Sequence, residues 1–262
     1  METKVSVVIR NKNQADALEF LLRNLRERYD QCISEIIVID NLSTDKSKAI
    51  SLKYDAKFVT INDFGYGSSA NTAAENATNK IVVIFSAHAY PVSHDFFDEI
   101  VRRFNANENL AGLRCLHTSN DYKNYINEIS VLQDPNKSGL IFCGSAFNRE
   151  IWKKHRFKDD ITTFEDKEWT LRVLKHGYDI EFSPSIFNYD IKRTKKQQFF
   201  RFKKELLGSY QLWHKDLVFG QVIKTGVLEC LGIIRACIID LFYALNRLFF
   251  KIKFLLNKPD KY

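Results

Sequence analysis

A chain of 262 residues that is 45% hydrophobic and holds only 4 Pro and 10 Gly can bury a full core, which excludes a disordered or collagen-like chain. Its formal charge of +7 is uneven: from Lys192 onward 15 Lys/Arg stand against 5 Asp/Glu (net +10), while the first 191 residues hold 24 against 27 (net −3). In that basic quarter the charges are interleaved with Phe and Leu rather than displayed as a polar groove, which argues against a nucleic-acid partner.

The N-terminus, METKVSVVIR, enters a strand at once and lacks the apolar h-region of a signal peptide, so a cytoplasmic location is expected. The 5 cysteines show no CxxC spacing and read as small buried apolar groups in a reducing compartment. In chain order, 5–9 (VSVVI) is an apolar run followed by polar residues. Leu18, Leu21, Leu22, Leu25 and Tyr29 then recur at helical spacing. The next strand is 35–40 (EIIVID), after which Ser43 or Thr44 is positioned to cap a helix through Lys53. KFVTI (57–61) reads as a strand, 64–69 as a glycine-bearing loop and 71–77 as a small-residue helix.

Ile81 to Phe85 form an unbroken apolar run, as a strand buried on both faces does. It ends in Ser86-Ala87-His88, and Pro91 is expected to stop further ladder pairing. Strands with intervening helices describe half of a doubly wound α/β fold, and its strand ends gather residues 10–14, 40–45, 63–71 and 86–91 into one crevice. His88 therefore lies where chemistry is expected; alternatively it is a turn residue satisfied by backbone. Neither GxGxxG nor GxxxxGK[ST] occurs.

Beyond Pro91, Phe97, Ile100, Val101 and Phe104 share a helical face and 111–117 reads as a strand. Residues 118–137 read as a loop over a cleft, 140–147 as strand then turn, and 149–157 as a short helix. A helix marked by Trp169–Val173 ends at Gly177, and YDIEF is the last strand. From Lys195 two helical stretches dense in Phe and Leu follow. In the second, Glu229, Asp240, Arg247 and Lys251 fall on one narrow face. No uncharged run approaches the roughly 20 residues of a membrane span. These helices suit either the membrane interface or packing onto the domain or onto a second copy of the chain.

The ordered set VSVVIRNKN, EIIVIDNLSTDKS, GYGSSANTAAENA, a strand ending SAHAYP, and FEDKEWTLRVLKHG resembles the family 2 glycosyltransferases, in particular bacterial enzymes that build surface polysaccharides. The resemblance spans roughly residues 4–183. It implies a GT-A fold, a mixed α/β sheet flanked by helices over residues 1–194, with 195–262 as a basic, apolar helical extension. It also implies inverting transfer, of a hexosyl or deoxyhexosyl type, from a nucleoside-diphosphate sugar. Arg10, Asn11 and Lys12 would line the base, and Asp40 would bond base or ribose. Asn41, Ser43, Asn71, Ser86 and Ala87 would lie along the donor. Asp166 matches the family's catalytic base, and Glu165 would orient the loop or bind acceptor hydroxyls.

Each carboxylate has a plainer alternative. Asp40 can cap the turn at Ser43–Thr44, and Glu165 and Asp166 can complement the dipole of a helix N-terminus. The sequence also departs from the family. The usual Asp-x-Asp is Ser86-Ala87-His88, which leaves His88 as a single ligand for Mn²⁺ or Mg²⁺. Where many relatives have a later His, Asp190 stands as a replacement ligand, or Lys192 or Arg193 instead supplies positive charge directly. Ala70 replaces a common Arg. No organic cofactor is implied. The expected partners are the donor, a lipid-linked or other glycan acceptor, and the inner face of the cell membrane, with a homo-oligomer through the C-terminal helices as the alternative. A non-catalytic subunit that binds nucleotide sugar or glycan is the competing function.

Overall fold

A computed structural model describes residues 3–260. Its eight strands run in the order β3-β2-β1-β4-β7-β6-β8-β5. They are β1 (Val5–Asn11), β2 (Ile33–Asp40), β3 (Lys57–Thr60), β4 (Ile81–Ser86), β5 (Ala89–Pro91), β6 (Leu110–Leu116), β7 (Ser145–Asn148) and β8 (Asp179–Tyr189). The first four pair in parallel, β7 runs antiparallel to both β4 and β6, and β8 runs parallel to β6. The sheet is mixed, with helices on both faces.

Alternation along the central strands supplies two cores. Val7, Ile9, Val83 and Phe85 point to one face, where α1 (Ala15–Tyr29) and α4 (Phe96–Ala106) bring Leu18, Leu22, Phe96 and Ile100. Val8, Val82 and Ile84 point to the other. There they meet Ala70, Ala73 and Ala74 of α3 (Tyr66–Asn76) and Trp169 of α8 (Glu165–Lys175). Two buried faces explain why these strands read as continuous apolar runs.

Several local expectations change. Helix α2 (Ser47–Lys53) has no side-chain cap, because Ser43 is engaged with Asp40 and Asp45 accepts from Ser47 N and Oγ instead. Helix α3 begins at Tyr66, inside the expected loop. Pro91 does not end pairing, since β5 lies at the sheet edge and pairs with Phe187–Tyr189, where a missing N–H is tolerated. Residues 118–137 contain α5 (Ser119–Ile126), opened by a Thr118–Asp121 capping box, and the start of α6 (Pro135–Ser138). Strand β7 starts only at Ser145. The apolar run before it is irregular: Gly144 sits at φ +77°, and a Cβ there would lie 2.3 Å from the Phe187 ring.

The change of composition at Lys195 is not where the first compact unit ends. That unit extends through Trp213, and the second is His214–Tyr262. Helix α9 (Lys195–Trp213) joins the first unit through Gly208, whose absent Cβ would stand 2.5 Å from Thr163 Cγ2. The Trp213 and Phe164 ring centroids are 4.9 Å apart. Following α7 (Arg149–Lys154) and these elements, α10 (Phe219–Leu256) makes up most of the second unit. Among the described residues no helix is long and apolar enough to cross a membrane.

Candidate active site

The parallel register places the ends of β1, β2 and β4 side by side, with Asn11 beside Asp40 and Arg10 beside Ser86. Asp40, 2% exposed, is the hub of a turn. Its Oδ1 accepts from Asn11 Nδ2 at 2.8 Å and Ser43 Oγ at 2.6 Å, and its Oδ2 accepts from Ser43 N at 2.8 Å. The turn-capping reading of Asp40 is thus realised. Ser43 Oγ also accepts from Asn13 N, and Asn41 N donates to Asn11 O, so the 11–13 and 40–43 loops are tied together. Lys12 is exposed.

Arg10 stands between the two halves of the crevice. Its Nη2 donates to Phe142 O at 3.0 Å, and its guanidinium carbon lies 5.9 Å from both the Tyr66 and Phe142 ring centroids. Its Nη1 is 3.7 Å from Glu165 Oε1 and has no hydrogen-bond partner. Asn11 Oδ1 and His88 Nε2 are likewise buried and unpartnered. Three such atoms at neighbouring strand ends are unusual in a native interior, where buried polar groups are paired.

His88 Nδ1 lies 2.7 Å from Gln14 Oε1. With a carbonyl oxygen as partner Nδ1 carries the proton, which leaves the lone pair on Nε2. Burial, then Arg193 and Arg10, push its pKa down to about 4, so the ring is neutral. Asp190 donates its backbone N–H to His88 O, and both residues line one cavity. A neutral imidazole with its tautomer fixed by a second partner is the form that ligates metals. Among the described residues no group of three or more His, Cys, Asp or Glu could hold an ion. Only a metal whose remaining ligands come from donor phosphates and water fits.

Ser86 N donates to Cys143 Sγ and Ala87 N to Arg10 O, which fixes the backbone of the strand end. Asn71 is not brought into this crevice. Its amide donates to Phe157 O and Asp159 Oδ1 and accepts from Trp152 Nε1 and Phe157 N, at 2.9–3.1 Å. That exhausts its donors and uses its acceptor fully, so it tethers α3 to the 152–159 segment.

Glu165 and Asp166 open α8 after Phe164, a bulky residue at φ +69°. Such a conformation costs about 1–3 kcal/mol and persists only where its surroundings enforce it; here Gly208 and Trp213 pack on Phe164. Asp166 Oδ2 accepts from Phe142 N at 2.9 Å and its Oδ1 from Lys167 N at 2.7 Å. Asp166 lines a cavity of about 430 Å³ bordered by Tyr66, His117, Phe142, Tyr189, Arg193, Phe200, Arg201 and Lys204. Glu165 is 3% exposed, and burial, then the Asp166 charge, raise its pKa well above the usual carboxylate range despite Arg10.

The folded state therefore holds the Glu165 proton more tightly than the unfolded chain, whose value is near 4.5. Its contribution to stability is greatest at low pH and declines as pH rises above about 4.5 through the raised value. Glu165→Gln is expected to remove this slope. Melting curves of the two proteins should converge near pH 4 and separate towards pH 8, the variant being the more stable; parallel curves would contradict the raised pKa.

Sequence reasoning missed the support behind this wall. Arg114 donates to Gly139 O at 2.8 Å and to Asp121 Oδ1 at 2.6 Å, and His117 Nδ1 lies 2.7 Å from Asp121 Oδ2. Burial would raise the Asp121 carboxyl, but bonds from His117, Arg114 and Thr118 hold it well below the ordinary range. Lys167 Nζ also donates to Gly139 O, and burial pushes its pKa down to about 8. The Thr118-x-x-Asp121 capping box was the available signal.

With this geometry in view, comparisons with known proteins identify the architecture. Solved structures share the fold at low identity. The mannosyltransferase PcManGT from Pyrobaculum calidifontis, in complex with GDP-Man and Mn²⁺, superposes with a TM-score of 0.65 at 18% identity. The match covers 83% of this chain and 66% of that one. TarS 1-349 of S. aureus with UDP-GlcNAc gives 0.62 at 17% identity, covering 84% and 68%. Glucosyl-3-phosphoglycerate synthase of Mycobacterium tuberculosis, with Mn²⁺, UDP and glucosyl-3-phosphoglycerate, gives 0.58 at 14%, covering 80% and 79%. No curated protein matches the chain. The sequence profile described as Glycosyl transferase family 2 matches residues 6–158, more than half of the 262: the chain belongs to glycosyltransferase family 2 and has the GT-A fold.

Proposed function

We propose that this glycosyltransferase is an inverting enzyme that moves a sugar from a nucleoside-diphosphate sugar to a hydroxyl of a lipid-linked glycan in surface polysaccharide synthesis. The observation that carries the reading is Asp166, a carboxylate fixed by two backbone N–H groups at the wall of a cavity that Arg10 and Glu165 join to the strand-end crevice. In the reaction the acceptor O–H gives its proton to Asp166 as its oxygen bonds to C1 of the sugar. The bond from C1 to the diphosphate oxygen breaks on the opposite face, and the nucleoside diphosphate leaves with that electron pair. Buried Glu165 orients the turn.

His88, with Asp190 beside it, would hold a divalent ion, which when bound would neutralise the leaving diphosphate. Arg193 shares that task from the protein. In the presence of a nucleoside diphosphate, His88→Ala is expected to weaken Mn²⁺ binding by at least about tenfold, measured by electron paramagnetic resonance. Unchanged Mn²⁺ binding would remove His88 from the site.

The lipid-linked acceptor and a peripheral position on the membrane are supported by α9. One side of that helix, Phe200, Arg201 and Lys204, lines the Asp166 cavity. Beside them Phe199 and Phe202 are 61% and 58% exposed among Lys195, Lys196 and Lys203, a composition that suits an anionic lipid surface next to an acceptor. The test pairs calorimetry with turnover over a panel of nucleotide sugars and lipid-linked acceptors. Binding with turnover is expected. Binding of a donor with no transfer to any acceptor would favour a non-catalytic partner subunit, a reading to which Ser86 at the usual Asp position gives some weight.

A further inference from the structure

Helix α10 spans 38 residues, roughly 57 Å at 1.5 Å per residue, and none of them is buried. Within it Ile223, Val227, Cys230, Ile234, Cys237, Leu241, Ala244 and Leu248 follow at alternating steps of four and three. That is a period of about 3.5 residues, the repeat of a coiled-coil seam rather than of a helix lying on a broad surface. Lys251 and Leu255 continue the steps. Leu231, Ile238, Leu245 and Ile252 widen the stripe on one flank, and Asp240 and Arg247 stand on the other. Ile234, Ile238, Leu241 and Leu248 are all more than half exposed, so the stripe requires a cover.

We propose that α10 packs antiparallel against the same helix of a second copy of the chain, with Leu241 facing the partner's Ala244. In an antiparallel seam, facing residue numbers have a constant sum, so this choice fixes the rest. Leu248 faces the partner's Cys237 and Leu255 faces the partner's Cys230, which sets a large side chain against a small one in these three layers, while the fourth sets Ile234 against the stem of the partner's Lys251, whose ammonium reaches out to water. On the wide flank Ile238 meets the partner's Leu245 and Leu231 meets the partner's Ile252. On the other flank Asp240 meets the partner's Arg247, and the two-fold axis repeats that pair.

The parallel arrangement lacks these matches. It stacks Lys251 on the partner's Lys251, sets the small residues Cys230, Cys237 and Ala244 against themselves, and points Asp240 and Arg247 at apolar neighbours. A lipid surface is also served less well, because Asp240 borders the apolar stripe directly and Glu229 lies on the same side. The two helices overlap over residues 229–256, and if the eight seam side chains there each lose about 80 Å², the pair buries roughly 1,300 Å², within the range of a stable interface. The inference is independent of the transferase reading, since it uses α10 alone.

Sedimentation velocity of the full chain over a concentration series tests it. The wild type is expected to be a dimer. Asp240→Arg or Arg247→Asp alone turns two ion pairs into two repulsions and is expected to raise the dissociation constant at least about tenfold, while the doubly swapped protein recovers to within about threefold. In a Cys230→Ala, Cys237→Ala background, Ile238→Cys with Leu245→Cys should oxidise to a 238–245 link between copies, because within one helix these positions are about 10 Å apart, too far for a disulfide. A 238–238 link, or a dimer indifferent to the charge swaps, would overturn the antiparallel register. A wild-type monomer would overturn the dimer itself; if it co-floated with phosphatidylcholine vesicles containing about one third phosphatidylglycerol, the lipid surface would be the occupant of α10.

Discussion

Asp166→Asn is expected to lower kcat by about 10²–10⁴-fold, the range for loss of a positioned general base, with nucleoside-diphosphate affinity changed by no more than about twofold. The substitution retains an oxygen for one of the two N–H donors, Phe142 N or Lys167 N, so the turn at the start of α8 persists with a modest loss of stability. Glu165→Gln should cost less activity, because Glu165 faces Arg10 from a buried position. The plainer account, in which Asp166 only complements the helix dipole, predicts a stability loss of about 0.3–1 kcal/mol and normal turnover. Steady-state kinetics with thermal melts of the same preparations separates the two.

Asn71→Ala carries the largest expected effect on stability. It removes four hydrogen bonds and strands Trp152 Nε1 and both backbone groups of Phe157 among buried neighbours. With a cost of about 1–3 kcal/mol for each buried group left without a partner, and partial relaxation, the loss should reach about 2–4 kcal/mol. The melting temperature would drop by roughly 5–15 °C. The family resemblance had set Asn71 toward the ribose and phosphates. On that basis stability would be nearly unchanged and donor affinity would fall, so melts and calorimetry on one variant decide its role.

The strands were legible because burial on two faces writes itself as unbroken apolar runs, as in Ile81–Phe85 and Ile36–Ile39. The 140–147 stretch obeyed the same rule and misled. Leu140 to Cys143 are apolar because Leu140 and Phe142 join the core that holds Trp169 while Ile141 and Cys143 join the opposite one, and Phe142 N is committed to Asp166 and Gly144 turns the chain at positive φ. Helix starts were misplaced where a polar side chain was engaged by a partner other than the helix terminus. Ser43 bonds Asp40 instead of capping α2, and Asn71 was hidden in a helix that begins at Tyr66. The positions of Asp40 and His88 at strand ends followed from topology, and those of Glu165 and Asp166 from the family resemblance of the FED motif. The Arg114–Asp121–His117 network did not, because it joins β6 to a capping box in a segment that reads as polar loop. The profile match also ends at residue 158, before Glu165 and Asp166, so Asp166 as the base rests on geometry and on the resemblance of the FED motif.

The most direct test of single displacement through Asp166 is the anomeric configuration of the first-formed product, read by proton NMR from the C1–H coupling with a donor of known configuration. An α-linked donor should yield a β-linked glycoside with the wild type and no detectable product with Asp166→Asn on the same timescale. A product that keeps the donor's α configuration would contradict the account.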